Sequence, residues 1–369
     1  MELQKLTLHN FKNIGKAELE LSPKVNCFLG NNGMGKSNLL DAIYSLSFCR
    51  SYTGVSDKML IKREEPFMMV RGVYRRGGTA EELTLGMHDG QRKKLKRGDK
   101  EYGRLSNHIG LFPLVMAAPQ DSVLITGTSE ERRRWMDMVI SQSDSVYLDA
   151  LIRYNRSLEQ RNRLLRDGVT DPLLIEAVET SMDIAAGILT RARGAWIERL
   201  SSIFRRHYSA IAGEREMPGL KYVSLMTETG KPLQRLLDES RQRDEILKHT
   251  SVGPHRDDIE MTLEGMAMKR TGSQGQCKSY TVSLRFAQYE FLRESSGLTP
   301  MLLLDDIFDK LDSDRVENIM ERVTSRDFGQ IFITDTNRKH LDEIVERIGC
   351  DNFKLWNVDH GCFTPIEVE

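Results

Sequence analysis

The chain carries almost no net charge: 53 lysines and arginines stand against 54 aspartates and glutamates in 369 residues, a formal charge of −1. A globally basic field is thereby excluded, and any contact with nucleic acid has to come from local patches. Cysteine is scarce as well. Cys27, Cys49, Cys277, Cys350 and Cys362 contain no C-x-x-C pair. Neither a zinc site nor a disulfide framework is expected, and reduced thiols in a cytoplasmic protein are the simplest expectation. No apolar run reaches the ~18 residues of a membrane span. The start, Met1-Glu2-Leu3-Gln4-Lys5, does not read as a secretory leader. Internal repeats and low-complexity tracts are absent too. What is present, 39% hydrophobic and 29% charged residues, suits a globular protein with a real core, long enough for two domains or for one head with a large insertion.

Alternation of Leu3, Leu6, Leu8, Phe11 and Ile14 with Leu19 and Leu21 predicts two short strands with a turn at Asn13–Gly15. A buried strand is expected over Val25–Leu29, and a helix over Asn38–Phe48 from Leu39, Ala42, Ile43 and Leu46. Met68–Tyr74 and Leu83–Met87 read as a hairpin turning at Gly77-Gly78, followed by a basic loop, Arg92–Arg97. From about residue 130 the period changes. Leu151, Asn155, Leu158, Asn162 and Leu165, then Val178, Met182, Ala185, Leu189, Ala192 and Trp196, recur every 3.5 residues, the seam spacing of a coiled coil. Between them Gly168 suits a helix end, and Asp171-Pro172 a helix start. A helical hairpin follows from this.

Gly30-Asn31-Asn32-Gly33-Met34-Gly35-Lys36-Ser37 fits G-x-x-x-x-G-K-[ST] between a strand and a helix that Asn38 opens. Glycines let backbone N–H groups surround phosphates, and the helix N-terminus adds a positive end. Lys36 is expected to reach the β- and γ-phosphates, and Ser37 to ligate Mg²⁺. Met301–Leu304 is an apolar strand ending in Asp305 and Asp306. Ligands gather at such strand ends in open α/β sheets. Asp305 is the candidate metal ligand and Asp306 the candidate to orient or deprotonate the attacking water. Ser273-Gln274-Gly275-Gln276 precedes a helix marked by Tyr280, Leu284, Ala287 and Phe291, and Ser273 can cap that helix.

These three motifs, in this order, resemble the phosphate loop, LSGGQ signature and acidic strand of ABC ATPases. Further stretches narrow the resemblance to the RecF family: Leu8–Asn13 near its N-terminal strand, Gln160–Leu165 in its arm, Gly253-Pro254-His255-Arg256-Asp257-Asp258, Ser273–Gln276, and Leu304–Phe308 with Asp where most ABC ATPases carry Glu. The resemblance implies an α/β ABC/SMC-type P-loop ATPase head, residues 1–128 and 251–369, with a helical arm inserted at 129–250. It implies ATP and Mg²⁺ as cofactors, and Ser273, Gly275 and Gln276 as contacts to the γ-phosphate held by a partner head, so that ATP joins two copies. It places Gln120, in Ala118-Pro119-Gln120-Asp121, in a loop that senses the γ-phosphate or metal. Leu311-Asp312 falls at the D-loop. The implied activity is weak, DNA-dependent ATP hydrolysis timing the release of double-stranded DNA at single-strand gaps, with RecO and RecR helping RecA replace single-strand-binding protein.

Four departures accompany the resemblance: Lys12 for the usual arginine, Ala118-Pro119-Gln120-Asp121 where the family usually reads S-P-E-D, Cys277-Lys278-Ser279 after the signature, and Thr334-Asp335-Thr336 without the switch histidine. Arg153, Arg156, Arg161, Arg163 and Arg166, with Arg132–Arg134 and Arg205-Arg206-His207, are candidate DNA contacts or merely solvated helix faces. His255 and Arg256 read as a structural turn or as contacts to a partner's nucleotide. The rival classes are the ATP-binding subunit of a transporter, which calls for a switch histidine, and an SMC-like scaffold that binds ATP without turnover. A nuclease with an appended Toprim domain is disfavoured by the short C-terminal segment.

Overall fold

A computed structural model describes residues 1–169, 171–309, 311–325, 327–348 and 352–367. Cys350 and Thr170 therefore lie outside the described residues. The chain divides into two compact units, one of residues 1–121, 210–212 and 274–369, the other of residues 122–209 and 213–273.

The first unit holds two six-stranded sheets. One runs in the order Cys362–Ile366, Phe353–Asp359, Val25–Leu29, Ile331–Asp335, Met301–Asp305, Leu114–Ala117. Every neighbouring pair is parallel except the first. Burial explains the composition: Leu302, Leu303, Leu304, Ile331, Phe332 and Ile333 are all fully buried, as a parallel sheet covered on both faces requires. Each such side chain contributes about 1.5–3 kcal/mol over its exposed state.

The other sheet is an antiparallel meander starting with Glu2–Phe11 and Ile14–Glu20, continuing through Phe67–Arg76 and Thr79–His88. Gly77 and Gly78 make the expected turn, both at positive φ. The segment expected to be a basic loop differs: Lys94–Arg97 is a strand paired with Leu83–Gly86, and Leu95 is fully buried. A single inward leucine among outward lysines is the period-2 pattern of a half-solvated strand.

The second unit contains the long helices Ser129–Ser143, Ser145–Asp167, Pro172–Ala212 and Leu233–Leu247; the last three residues of the third of these, 210–212, belong to the first unit. Asp144 and Asp171 cap the second and third through Tyr147 N and Leu173 N, and Gly168 ends the second in the left-handed region. Asp258–Leu263, expected with the head, instead pairs antiparallel with Pro218–Val223 and belongs to this unit.

The seam also differs from expectation. Asn155 is exposed, and the buried stripe of Ser145–Asp167 is Tyr147, Ala150, Tyr154, Ser157 and Arg161. Facing it, Met182, Leu189 and Trp196 are buried as expected, but Glu179 and Arg193 are buried with them. The heptad spacing was right in both helices, and the register was right in the second but one residue off in Ser145–Asp167, where Tyr154 and Arg161 are buried in place of Asn155 and Asn162. Arg161 reaches Glu179 at 2.9 Å and Asp244 at 2.7 Å. Arg193 reaches Asp137 at 2.8 Å, Asp257 at 2.9 Å and the Pro254 carbonyl at 2.7 Å. Hydrogen-bonded pairing of this kind is what makes a buried guanidinium tolerable.

Candidate nucleotide site

Four consecutive neighbours of the parallel sheet end on one edge, and the candidate residues follow from that. The phosphate loop leaves Val25–Leu29 and enters the helix Lys36–Phe48. Two of its glycines are required sterically. A Cβ on Gly30 would stand 2.4 Å from the Val358 carbonyl oxygen, and Gly35 has φ +113° with Asn13 side-chain atoms 3.1 Å from its would-be Cβ. Asn13 also accepts from Asn38 Nδ2 at 2.8 Å, and Gly361 N donates to the Met34 carbonyl at 2.7 Å. Gly33 takes φ +81°, and Asn31 and Asn32 complete the loop between the glycines.

Lys36 is buried, and its ammonium donates to the carbonyls of Gly30 at 2.6 Å and Asn31 at 3.1 Å. Ser37 Oγ donates to Asp305 Oδ1 at 2.9 Å, joining loop and acidic strand directly. Thr334 Oγ1 donates to the same oxygen at 2.6 Å. The strand Ile331–Asp335 lies between the other two, and its threonine bonds the same carboxylate oxygen that Ser37 bonds. Asp305 is 3% exposed, and burial raises its pKa above the usual carboxylate value.

Asp306 adopts φ +43°, a left-handed conformation that costs an ordinary residue roughly 1–2 kcal/mol. Its N–H is satisfied by the Thr334 carbonyl at 3.2 Å, and its carbonyl accepts from Lys278 Nζ at 3.2 Å. Burial and then the neighbouring Asp305 charge push its carboxyl up to about 6. Asp306 Oδ1 is buried with no hydrogen-bond partner.

Hard oxygens are the donors Mg²⁺ takes, usually one or two carboxylates plus substrate phosphates. Ser37 Oγ and Asp305 Oδ1 fit that pattern, and the unsatisfied oxygen of Asp306 fits an outer partner such as a bound water. Among the described residues no group of three or more His, Cys, Asp or Glu could hold a metal by itself, so water or phosphate oxygens would complete the set.

Gln120 lies exposed in the tight turn Pro119–Ser122, just beyond the strand Leu114–Ala117 at the sheet edge. Its neighbour Asp121, unremarked in the sequence, anchors the turn. Asp121 accepts from Ala118 N at 3.0 Å, from Arg285 at 2.7 and 3.0 Å, and from the Tyr52 hydroxyl. Arg285 belongs to the helix Gln274–Ser296, so the glutamine turn is tied to the helix that follows the signature. Nothing local in sequence signalled a pair 164 residues apart.

Gly275 and Gln276 occupy the first turn of that helix, and Ser273 immediately precedes it. The near neighbour of Gly275 is Arg315, 3.2 Å from its would-be Cβ, rather than the phosphate loop. The structure thus gathers Lys36, Ser37, Asp305 and Asp306 with Thr334 and Lys278, and holds the signature residues at a helix start. The switch position carries Thr334 on Asp305, while His340 Nδ1 lies 2.9 Å from Asp335 Oδ2.

Several basic candidates are committed elsewhere. Arg161 is buried in its ion pairs; Arg132 pairs bidentately with Asp258 at 2.6 and 3.0 Å; Arg133 donates to the Asp257 carbonyl at 2.6 Å. Arg153, Arg156, Arg163 and Arg166 are exposed. His255 bonds the Tyr154 hydroxyl at 2.7 Å and the Thr250 carbonyl at 3.0 Å, and burial lowers its pKa to about 4. His255 thus holds the turn Pro254–Arg256 in place within the second unit, and Arg256 beside it is exposed.

A model of the RecF/RecN/SMC N-terminal domain matches residues 2–354. The DNA replication and repair protein RecF of Parabacteroides distasonis is 49% identical over 367 residues, with all of both chains covered. That of Bacteroides fragilis is 47% identical over 369 residues, covering 100% of this chain and 99% of the relative. A solved structure described as the recombination mediator protein RecF with ATP in the RecFOR pathway matches with TM-score 0.88 at 27% identity, covering 99% of this chain and 98% of the other. The Smc head domain of Pyrococcus furiosus, with an extended coiled coil, matches with TM-score 0.57 at 15% identity over 99% and 96%, a likeness of fold alone. The chain belongs to the RecF family of ABC/SMC-type P-loop ATPases.

Proposed function

We propose that the chain is an ATP-driven switch of gap repair and replication restart, holding double-stranded DNA beside single-strand gaps. The observation that carries this is the bond between Ser37 and Asp305 beside a strained Asp306 whose buried oxygen has no partner, in a chain similar along its whole length to a RecF solved with ATP.

In this reading Gly30, Asn31, Asn32, Gly33, Met34 and Gly35 cradle the phosphates, Lys36 neutralises their charge, and Asn38 steadies the loop through Asn13. Ser37 and Asp305 would hold Mg²⁺, which when bound screens the β- and γ-phosphate charge. Asp306 accepts a proton from the attacking water once ionised. Gln120 reports the γ-phosphate to the helix Gln274–Ser296 through Asp121 and Arg285. Ser273, Gly275 and Gln276 close on the γ-phosphate held by a second copy, so ATP drives homodimerisation. Turnover is slow and DNA-dependent, in keeping with a switch position that carries threonine. The relatives' place in the RecFOR pathway points to RecO and RecR as partners and RecA loading as the outcome, in the cytoplasm.

Fluorescence anisotropy of a labelled gapped duplex tests this. The expected result is binding that requires ATP and disappears in Lys36→Met. Binding indifferent to both would replace the switch with a constitutive basic patch.

A further inference from the structure

The antiparallel sheet of the first unit presents an outer face with a groove of about 290 Å³. Its floor follows from one pairing. Gly86 lies directly opposite Met69, so where a side chain would normally stand there is bare backbone. Phe67 and Met69 wall one side, with the Phe67 ring 5.6 Å from that of His88. The stems of Lys94 and Lys96 wall the other, and Arg92 joins them at the rim. No carboxylate lines the groove. Lys94 has a loose, exposed contact to Glu101 at 3.6 Å. Among the described residues neither Arg92 nor Lys96 has an ion-pair partner.

An apolar dent rimmed by cations on one side is complementary to a large apolar side chain flanked by carboxylates. Methionine walls adapt to such an anchor, and Met, Arg and aromatic residues are the types enriched at interface centres. Lysine stems add apolar wall while their heads stay in water. Nucleic acid fits less well, since phosphate recognition wants converging donors rather than a carbon-lined dent, and base stacking wants a row of aromatic platforms. We propose that this groove is a docking site for an acidic segment of a partner protein, with one aromatic or large aliphatic side chain seated over Gly86. None of its residues takes part in the nucleotide site, so the proposal stands independently of the ATP switch.

The test is fluorescence anisotropy on the full-length protein, using a fluorescein-labelled acidic nonapeptide with one central phenylalanine. The control peptide carries serine there, and a labelled oligothymidine is run in parallel. Gly86→Leu fills the dent; its Cβ would meet only the Met68 carbonyl oxygen, at 3.8 Å, so the fold is expected to survive with unchanged thermal unfolding. Lys94→Glu combined with Lys96→Glu reverses the rim. Each variant is expected to weaken the phenylalanine peptide by at least about tenfold, and the serine peptide is expected to bind no better to the wild type than to Gly86→Leu. Three results would overturn the proposal. These are no binding of the peptide by the wild type, loss of binding on charge reversal but not in Gly86→Leu, and weakening of oligothymidine alone.

Discussion

Two sets of buried charges in this molecule are completed to different degrees. In the helical unit, Arg161 and Arg193 are each 2% exposed and each meets two carboxylates. Glu179 takes further donors from Gln234 and Arg241, and Asp244 from Ser240 and Ser251. At the edge of the parallel sheet, Asp305 and Asp306 stand side by side without an ion pair among the described residues, and one oxygen of Asp306 is unsatisfied. The first arrangement specifies a geometry. The second leaves one carboxylate oxygen without a partner on a strained backbone, and strain and orphaned groups gather where a ligand completes them.

The comparison is broken or sharpened most strongly by substitution at each pole. Lys36→Met and Asp305→Ala are expected to lower ATP turnover by at least about a hundredfold, as loss of a preorganised electrostatic contact does, with little change in thermal unfolding. Arg161→Met should do the reverse. It strands Glu179 and Asp244, a loss of roughly 3–5 kcal/mol, so calorimetry is expected to show unfolding lowered by about 10 °C with turnover per folded molecule intact. If Arg161→Met abolishes turnover without loss of stability, the division between scaffold and site is wrong.

A smaller effect concerns Asp306. Its folded-state pKa of about 6 lies above the unfolded value, so the folded protein binds this proton more tightly. The carboxyl therefore supports stability below about pH 4 and loses that support as pH rises through 6, while a base role makes turnover rise over the same interval. Asp306→Asn should flatten both trends, removing turnover and leaving the protein at neutral pH no less stable than before. His255 gives the opposite sign and an effect of similar size. Its pKa, lowered to about 4 by burial, means stability declines as pH falls from about 6.5 toward 4, because the unfolded chain takes the proton first. His255→Gln should reduce that slope in urea titrations.

Legibility in the sequence followed the range of the interactions. The phosphate loop and the acidic strand were readable because each is a short contiguous run whose glycines or aliphatics answer to local geometry. The hairpin at Gly77-Gly78 was readable for the same reason. The strand Lys94–Arg97 was not, since three of its four residues are cationic and only its pairing with Leu83–Gly86 reveals it. The seam of Ser145–Asp167 was misregistered because Arg161 is made burial-competent by Asp244, 83 residues away. The bonds of Asp121 with Arg285 and of Thr334 with Asp305 were not readable, since they join distant segments.

The central claim is that each nucleotide is completed by the signature of a second copy, and mixing two inactive variants tests it most directly. Lys36→Met spoils the phosphate loop and Ser273→Arg the signature. In a symmetric dimer a mixed pair keeps one site with both halves intact, so an equimolar mixture is expected to recover about a quarter of wild-type turnover. A mixture no more active than either variant alone would contradict the sandwich and leave each head completing its own site.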